Sequence, residues 1–322
     1  MHPRPNPAIQ SALPSEAQQP RPRRTISQEA LHDLSVAPQP WQDPHPLAPE
    51  PSSAPTSIAK HPSEQSRCQQ QNQITALGLD CISFVVPVFN EADCIADLVE
   101  EIEHCGRMLT ADFEIIVVDD GSTDHSLEVL RELIPQRPGL RVIPCQSNGG
   151  QSRAICIGVQ AARYGWIVTL DGDGQNVPGD TRRLVEALLD HAQASRVGMV
   201  TGCRVKRRDR WIKRVGSRIA NRVRMALLDD GVSDTGCGLK LFQRKLFLEL
   251  PRFDHMHRFL PALARMHGVE VIEVEVGHRP RSTGVSKYGT LDRLRVGVPD
   301  LFGVLWLKHR AMQRPVLMDR DQ

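Results

Sequence analysis

The sequence predicts an α/β fold: a mostly parallel sheet flanked by helices. Three observations carry that expectation. Short apolar runs alternate with helical patterns from residue 81 onward. The first runs, such as "CISFVVPV" and "EIIVVD", are continuously apolar, as strands covered on both faces are. Strand, helix, strand repeated in this way favours parallel pairing through crossovers.

Taken in order, residues 1 to about 78 precede the fold. They are rich in Pro, Gln, Ser and Ala, as in "PQPWQDPHPLAPEPSSAP", and show no hydrophobic period. Such a segment buries no core, so it reads as a disordered tail. Strands are expected at 81–88, 113–119, 140–144 and 165–170, with helices at 92–109, 123–134, 149–163 and 179–191. A further strand fits 197–201, followed by a helix at about 211–228. A strand near 239–243, a helix near 258–267 and a strand at 270–276 complete the body. The catalytic region is thus expected at 79–290. Residues 291–322 are expected to form a C-terminal amphipathic helix and tail able to contact a membrane surface, the helix at 290–310 being whole or split at Pro299.

Composition narrows the function classes. The 322 residues carry a formal net charge of +2, so global charge names no partner. Eight cysteines appear without a CxxC pair, several inside apolar runs (Cys81, Cys156), which reads as reduced thiols of a cytosolic protein. The N-terminus lacks the apolar stretch of a signal peptide, and no run of about 18 apolar residues offers a membrane span.

Three strands end in polar signatures, and in an open parallel sheet ligands bind at those ends. "VVPVFNEAD" follows the first, "VVDDGSTD" the second and "VTLDGDGQN" the fourth. Asp119 and Asp120 can accept hydrogen bonds from a base or from ribose hydroxyls. Ser122 or Thr123 would also cap the next helix, the plainer use of that motif. Asp171 and Asp173 are separated by Gly172, and Gln175 adds a neutral oxygen. Two carboxylates plus a diphosphate suit Mg²⁺, which keeps hard oxygen ligands and shares them with phosphates. An acidic turn is the bland alternative.

Other stretches add charge. Asn148 with Gly149 and Gly150 opens a helix whose N-terminus suits a phosphate or sugar hydroxyl, or simply packs closely. "GCRVKRRDRWIKRVGSRIANRVR" is strongly basic, with Arg204, Lys213 and Ser217 in it. It lacks a nucleic-acid motif and stacking aromatics, which total 4% of the chain, so no nucleic-acid partner is expected. Basic residues beside Trp211 fit an anionic membrane surface. Asp234, in "VSDTGCGLKLF", reads as a catalytic base, an acceptor-orienting acid or a turn residue. "GHRPRSTGVSKYG" holds Arg279 and Lys287 in a Gly/Ser-rich loop able to close over a polyanion.

Together these pieces resemble the family 2 inverting glycosyltransferases of the GT-A nucleotide-diphospho-sugar transferase fold. Within that family they look most like the polyprenyl-phosphate (dolichol-phosphate mannosyltransferase-like) branch. "VVPVFNE", "IIVVDDGSTD", "NGGQSRA", "LDGDGQ", "DTGCGLKLF", "HRFLPAL" and "HRPRSTGVSKYG" carry the likeness, from about Ile82 to Leu307. The resemblance implies transfer from a nucleotide-sugar (GDP-mannose or a UDP-sugar) to a polyprenyl phosphate at the cytoplasmic face of the cell membrane, with peripheral attachment. It implies that Pro87, Phe89, Glu91, Val118, Asp119 and Asp120 lie at the nucleotide. Asp171, Asp173 and Gln175 would hold Mg²⁺ or Mn²⁺, with Gly172 beside the donor. Arg204, Lys213 and Ser217 would meet the acceptor phosphate, and Arg279 and Lys287 would close the site. Asp171, Asp173, Arg204 and Asp234 are the catalytic candidates. The sequence departs from the family pattern at Phe89, where Tyr is frequent, and in lacking the C-terminal spans of several relatives. Competing expectations are a hydroxyl-acceptor transferase, a sugar nucleotidyltransferase and a non-enzymatic membrane-surface adaptor.

Overall fold

Seven strands form one sheet in the order β3-β2-β1-β4-β6-β5-β7. They are β1 (Cys81–Val88), β2 (Asp112–Asp119), β3 (Leu140–Pro144), β4 (Trp166–Thr169), β5 (Val197–Arg204), β6 (Lys240–Gln243) and β7 (Glu270–Val276). The computed structural model describes residues 72–204, 224–280 and 290–310. β1 pairs in parallel with both β2 and β4, and β2 with β3. β6 runs antiparallel between β4 and β5, and β7 returns parallel to β5. The expected mostly parallel sheet is therefore observed, with strand bounds close to those read from the apolar runs.

Helices cover both faces. They are α1 (72–77), α2 (Ile95–Leu109), α3 (Ser126–Leu133), α4 (Gln151–Ala161), α5 (Thr181–Leu189), α6 (224–228), α7 (Arg244–Glu249), α8 (Leu260–Met266) and α9 (Thr290–Arg310). Alternation along β1 divides the core. Ile82, Phe84, Val86 and Val88 pack with Leu98, Val99 and Ile102 of α2 and with Leu184 and Leu188 of α5. Val85 points the other way, to Ile155 and Val159 of α4, Leu263 of α8 and Val304 of α9. Gly158 brings α4 close to β1: a Cβ there would stand 2.4 Å from Val85 Cγ1.

Three readings need correction, and a fourth is described only in part. The expected tail runs into the fold, because α1 is helical and its Ile74 is buried in the core. Residues 244–249, unassigned from the sequence, form α7, whose Leu246 and Phe247 are buried. The expected helix at 211–228 is described only over 224–228, the rest lying outside the described residues. Finally, α9 is one helix with Pro299 inside it. It is not simply amphipathic: Leu301, Val304 and Leu305 pack on the core while Val298, Phe302 and Trp306 face outward.

Candidate active site

β1, β2 and β4 are parallel neighbours, so their carboxyl ends share one edge of the sheet. Two of the polar signatures are laced together there. Asn90, at φ 57°, accepts the amide of Thr123 at 2.7 Å and donates through its own amide nitrogen to Ser122 Oγ at 3.0 Å. The Glu91 amide donates to Ser126 Oγ at 2.8 Å. Ser122 and Thr123 thus bind Asn90 rather than cap α3. Asp124 does that work, accepting the Ser126 amide at 3.0 Å. Burial alone raises the Asp124 carboxyl, but hydrogen bonds from Ser126 and Ala92 outweigh it and hold the group below its usual range.

The nucleotide candidates fall into two sets. Asp119 and Asp120 are buried at the end of β2. Asp120 is committed to the chain itself: it accepts the amides of Gly149 and Gly150 at 2.7–3.1 Å. It thereby fixes the turn before α4, where Gly150 adopts φ 87°. Asp119 accepts one longer bond, 3.3 Å, from the Ser122 amide. Phe89 and Glu91 are half-buried on the β1 side of this edge, and Pro87 is buried within β1. Val118 is a correction: its side chain packs in the core near Gly158, so only its backbone remains for a ligand.

The loop after β4 is tightly folded. The Asp171 amide donates to Asn176 Oδ1 at 2.8 Å, and the Gln175 amide to Asp173 Oδ1 at 3.2 Å. Gly172 lies so close to the Pro87 carbonyl that a Cβ would sit 2.6 Å from it. The Asp171 carboxylate rests against Gly238 and accepts Gln151 Nε2 at 2.7 Å. Burial and the adjacent Asp173 charge push its pKa upward, with Lys240 and Arg204 opposing. Two near carboxylates in a half-dry pocket fit a divalent cation. Among the described residues no cluster of three or more His, Cys, Asp or Glu is present. The two aspartates would therefore leave most coordination positions to phosphate oxygens and water. Gln175 is turned elsewhere: its Nε2 donates to the Arg279 carbonyl at 3.3 Å.

Beside Asp171 opens a cavity of about 350 Å³, lined among others by Gln151, Arg204, Asp234, Lys240, His257 and Arg258. Arg204, at the end of β5, meets Asp234 through two bonds of 2.6 and 2.7 Å. Burial lowers the guanidinium, but Asp234 more than reverses this and its pKa rises. The Asp234 amide is in turn fixed by Glu273 of β7 at 2.9 Å. Lys240 is buried and donates to the Cys237 carbonyl. Burial pulls its pKa down, against the attraction of Cys237, Asp171 and Asp234. His257 Nδ1 lies 2.7 Å from Ser152 Oγ. Burial and the charges of Arg258 and Lys240 hold that imidazole well below 6.5.

Of the catalytic candidates, Asp171, Arg204 and Asp234 line this cavity, and Asp173 lies near enough to Asp171 for its charge to raise that carboxyl. Lys213, Ser217 and Lys287 lie outside the described residues. Arg279 is not brought to the cavity. Its guanidinium pairs with Glu101 of α2 at 2.8 Å, in a separate groove that Arg182 also lines. Its backbone amide donates to the Gln175 carbonyl at 2.9 Å, next to a β-bridge between Asn176 and His278. Gln151, Lys240, His257 and Arg258 were not singled out from the sequence as site residues. A lysine inside the apolar strand "GLKLF" was the available signal for one of them.

The chain is similar to known proteins. The chain is 35% identical over 212 residues to undecaprenyl-phosphate 4-deoxy-4-formamido-L-arabinose transferase of Edwardsiella ictaluri, covering 65% of this chain and 63% of that protein. The chain thus spans a little under two thirds of that relative's length. It is 33% identical over 235 residues to dodecaprenyl-phosphate galacturonate synthase of Rhizobium johnstonii, covering 71% and 68%. Among solved structures, glucosyl-3-phosphoglycerate synthase from Mycobacterium tuberculosis, in complex with Mn²⁺, UDP-glucose and glycerol 3-phosphate, superposes with a TM-score of 0.55 at 20% identity. That match covers 73% of this chain and 83% of the other. The likeness shows the fold, the GT-A arrangement. Residues 83–250, from within β1 to just past α7, match the family described as Glycosyl transferase family 2. With more than half of its length accounted for by that match, the chain belongs to glycosyl transferase family 2.

Proposed function

We propose that the protein transfers a sugar from a nucleotide-sugar to a polyprenyl phosphate, with inversion, as a peripheral enzyme at the cytoplasmic face of a membrane. One observation carries this reading: Asp171, with the Asp173 charge beside it, lines a cavity whose other walls hold Arg204, Lys240 and Arg258. The carboxylates suit a cation on the donor diphosphate, and the cations suit an anionic acceptor. The names of the two relatives, each acting with a polyprenyl phosphate, support the acceptor class.

A divalent cation, Mg²⁺ or Mn²⁺, bound by Asp171 and Asp173 would stabilise charge on the departing diphosphate. The structure solved with Mn²⁺ on the same fold supports that assignment. The chain's own residues do the rest. Asp119 stands at the nucleotide edge with capacity to accept from the ribose or base. Gln151 orients the Asp171 carboxylate. Lys240 and Arg258 offset repulsion between an incoming phosphate and the diphosphate by charge-assisted hydrogen bonds. A phosphate oxygen is already anionic, so no strong base is needed.

A hydroxyl acceptor would need a base, and Asp234 is the candidate. Both of its oxygens face Arg204 at hydrogen-bond distance, which favours a positioning role and hence the phosphate acceptor. Asp234→Asn separates the readings. A phosphate acceptor predicts a fall of roughly 10–100-fold, centred on acceptor KM, while a catalytic base predicts near-total loss of turnover with donor binding intact. The identity test incubates the protein with a panel of nucleotide-sugars, a short polyprenyl phosphate and Mg²⁺ or Mn²⁺, followed by mass spectrometry of the lipid. The product should be an acid-labile sugar-phosphate lipid; a product on a hydroxyl, or pyrophosphate release, refutes the proposal.

A further inference from the structure

α9 carries apolar side chains on two faces. The inner face packs on the core through Leu301, Val304 and Leu305. On the outer face Val298 is 47% exposed, and Phe302 and Trp306 are each 62% exposed. Pro299 and Gly303 complete this outer strip, and Asp300, the one charged residue between 298 and 306, lies off it, facing His255 at 3.3 Å. The last turn then adds Lys308, His309 and Arg310. Trp306 thus sits where an apolar strip meets a basic end, the place tryptophan takes at a membrane–water boundary.

Resting on the lipid-acceptor reading above, we infer that the Val298–Phe302–Trp306 face of α9 is the surface by which the protein lies on an anionic phospholipid bilayer. Two ties connect this helix to the walls of the cavity. His255 Nδ1 lies 3.3 Å from Asp300 Oδ2, and His255 opens the Met256–Arg258 turn that presents His257 and Arg258. Lys308 donates to the carbonyls of Leu227 and Leu228 at 3.3 and 3.1 Å, at the end of α6 and ahead of the loop bearing Asp234. The bilayer-facing helix and the acceptor side of the cavity are therefore one assembly. Charge also complements the partner, since Arg310, exposed at the end of the helix, carries positive charge towards acidic headgroups, while Lys308 is tied to the body. A second copy of the chain is a poorer occupant. Three side chains offer roughly 300–400 Å², from groups that bury about 150–250 Å² each at most, whereas a stable complex needs about 800 Å² a side.

The test is sedimentation of the full chain with phosphatidylcholine–phosphatidylglycerol vesicles, at low and high salt, for wild type and Phe302→Ser/Trp306→Ser. Both replaced side chains are exposed, and transfer to a short, water-soluble polyprenyl phosphate reports the fold. The wild type should stay on vesicles at high salt, because apolar insertion is not screened as ion pairing is. The double variant should bind at least about tenfold more weakly and keep its activity on the short acceptor. Equal binding by the variant, or a wild type that high salt releases completely, overturns the inference. So does a wild-type dimer that the variant converts to monomers. Should neither protein glycosylate the short acceptor while only the wild type stays on vesicles at high salt, the docking face stands and the catalytic reading falls.

Discussion

Asp171 and Asp234 line the same cavity with opposite engagements. Asp171 takes one bond from Gln151 and carries the Asp173 charge beside it, whereas Asp234 is gripped on both oxygens by Arg204. Asp171 is thus the carboxylate with capacity to spare. Asp171→Asn should lower kcat by roughly a thousandfold or more, the scale expected when a charge-stabilising ion is lost; steady-state transfer assays would measure it. His257 supports a second prediction, on stability. Its folded pKa lies well below 6.5 because it is buried beside Arg258 and Lys240. Between that depressed value and 6.5 the unfolded chain binds a proton that the folded chain does not, so stability falls as pH drops through this window. His257→Gln should flatten that part of a melting-temperature profile; an unchanged slope would refute the assignment. The aspartates were legible because each ends an apolar run. Lys240, His257 and Arg258 were not, because only the pairing of β6 with β4 and the contact of the 256–258 turn with α4 make them neighbours of Asp171.

Elements were legible in proportion to their burial. β1 and β2 announce themselves because both faces are covered and apolar residues dominate the runs, the interior exceptions Ser83 and Glu114 bonding to each other at 2.8 Å. α7 was missed since six residues, "RKLFLE", show too little periodicity to tell from a loop. α1 was missed because a polar sequence leads into it and, among the described residues, Ile74 is the first to reach the core. α9 was misread because its second apolar face has no counterpart in a simple amphipathic pattern. α4 approaches β1 closely at Gly158, where no Cβ fits against Val85. Gly158→Ala forces α4 away from β1 and should cost roughly 1–3 kcal/mol by urea melting.

At the scale of the molecule, parallel β1, β2 and β4 gather ligand-facing loops from sequence positions far apart. A bound donor should therefore stabilise the whole sheet. With Mn²⁺ and a nucleoside diphosphate at about a hundred times their dissociation constant, the gain is about 2.7 kcal/mol, or roughly 5–10 °C in Tm for a domain of this size. The Asp171→Asn/Asp173→Asn variant should show no such rise in scanning fluorimetry. The parallel run of the first four strands followed from the alternation of runs and helices. The antiparallel insertion of β6 did not, since nothing in "LKLF" states its direction. The rung between Asn176 and His278 has its own mechanical consequence. Asn176 holds the Asp171 amide with its side chain while its backbone meets a stretch a hundred positions downstream. A tug on that distant stretch is thereby delivered to the acidic pair, as a rudder answers its tiller.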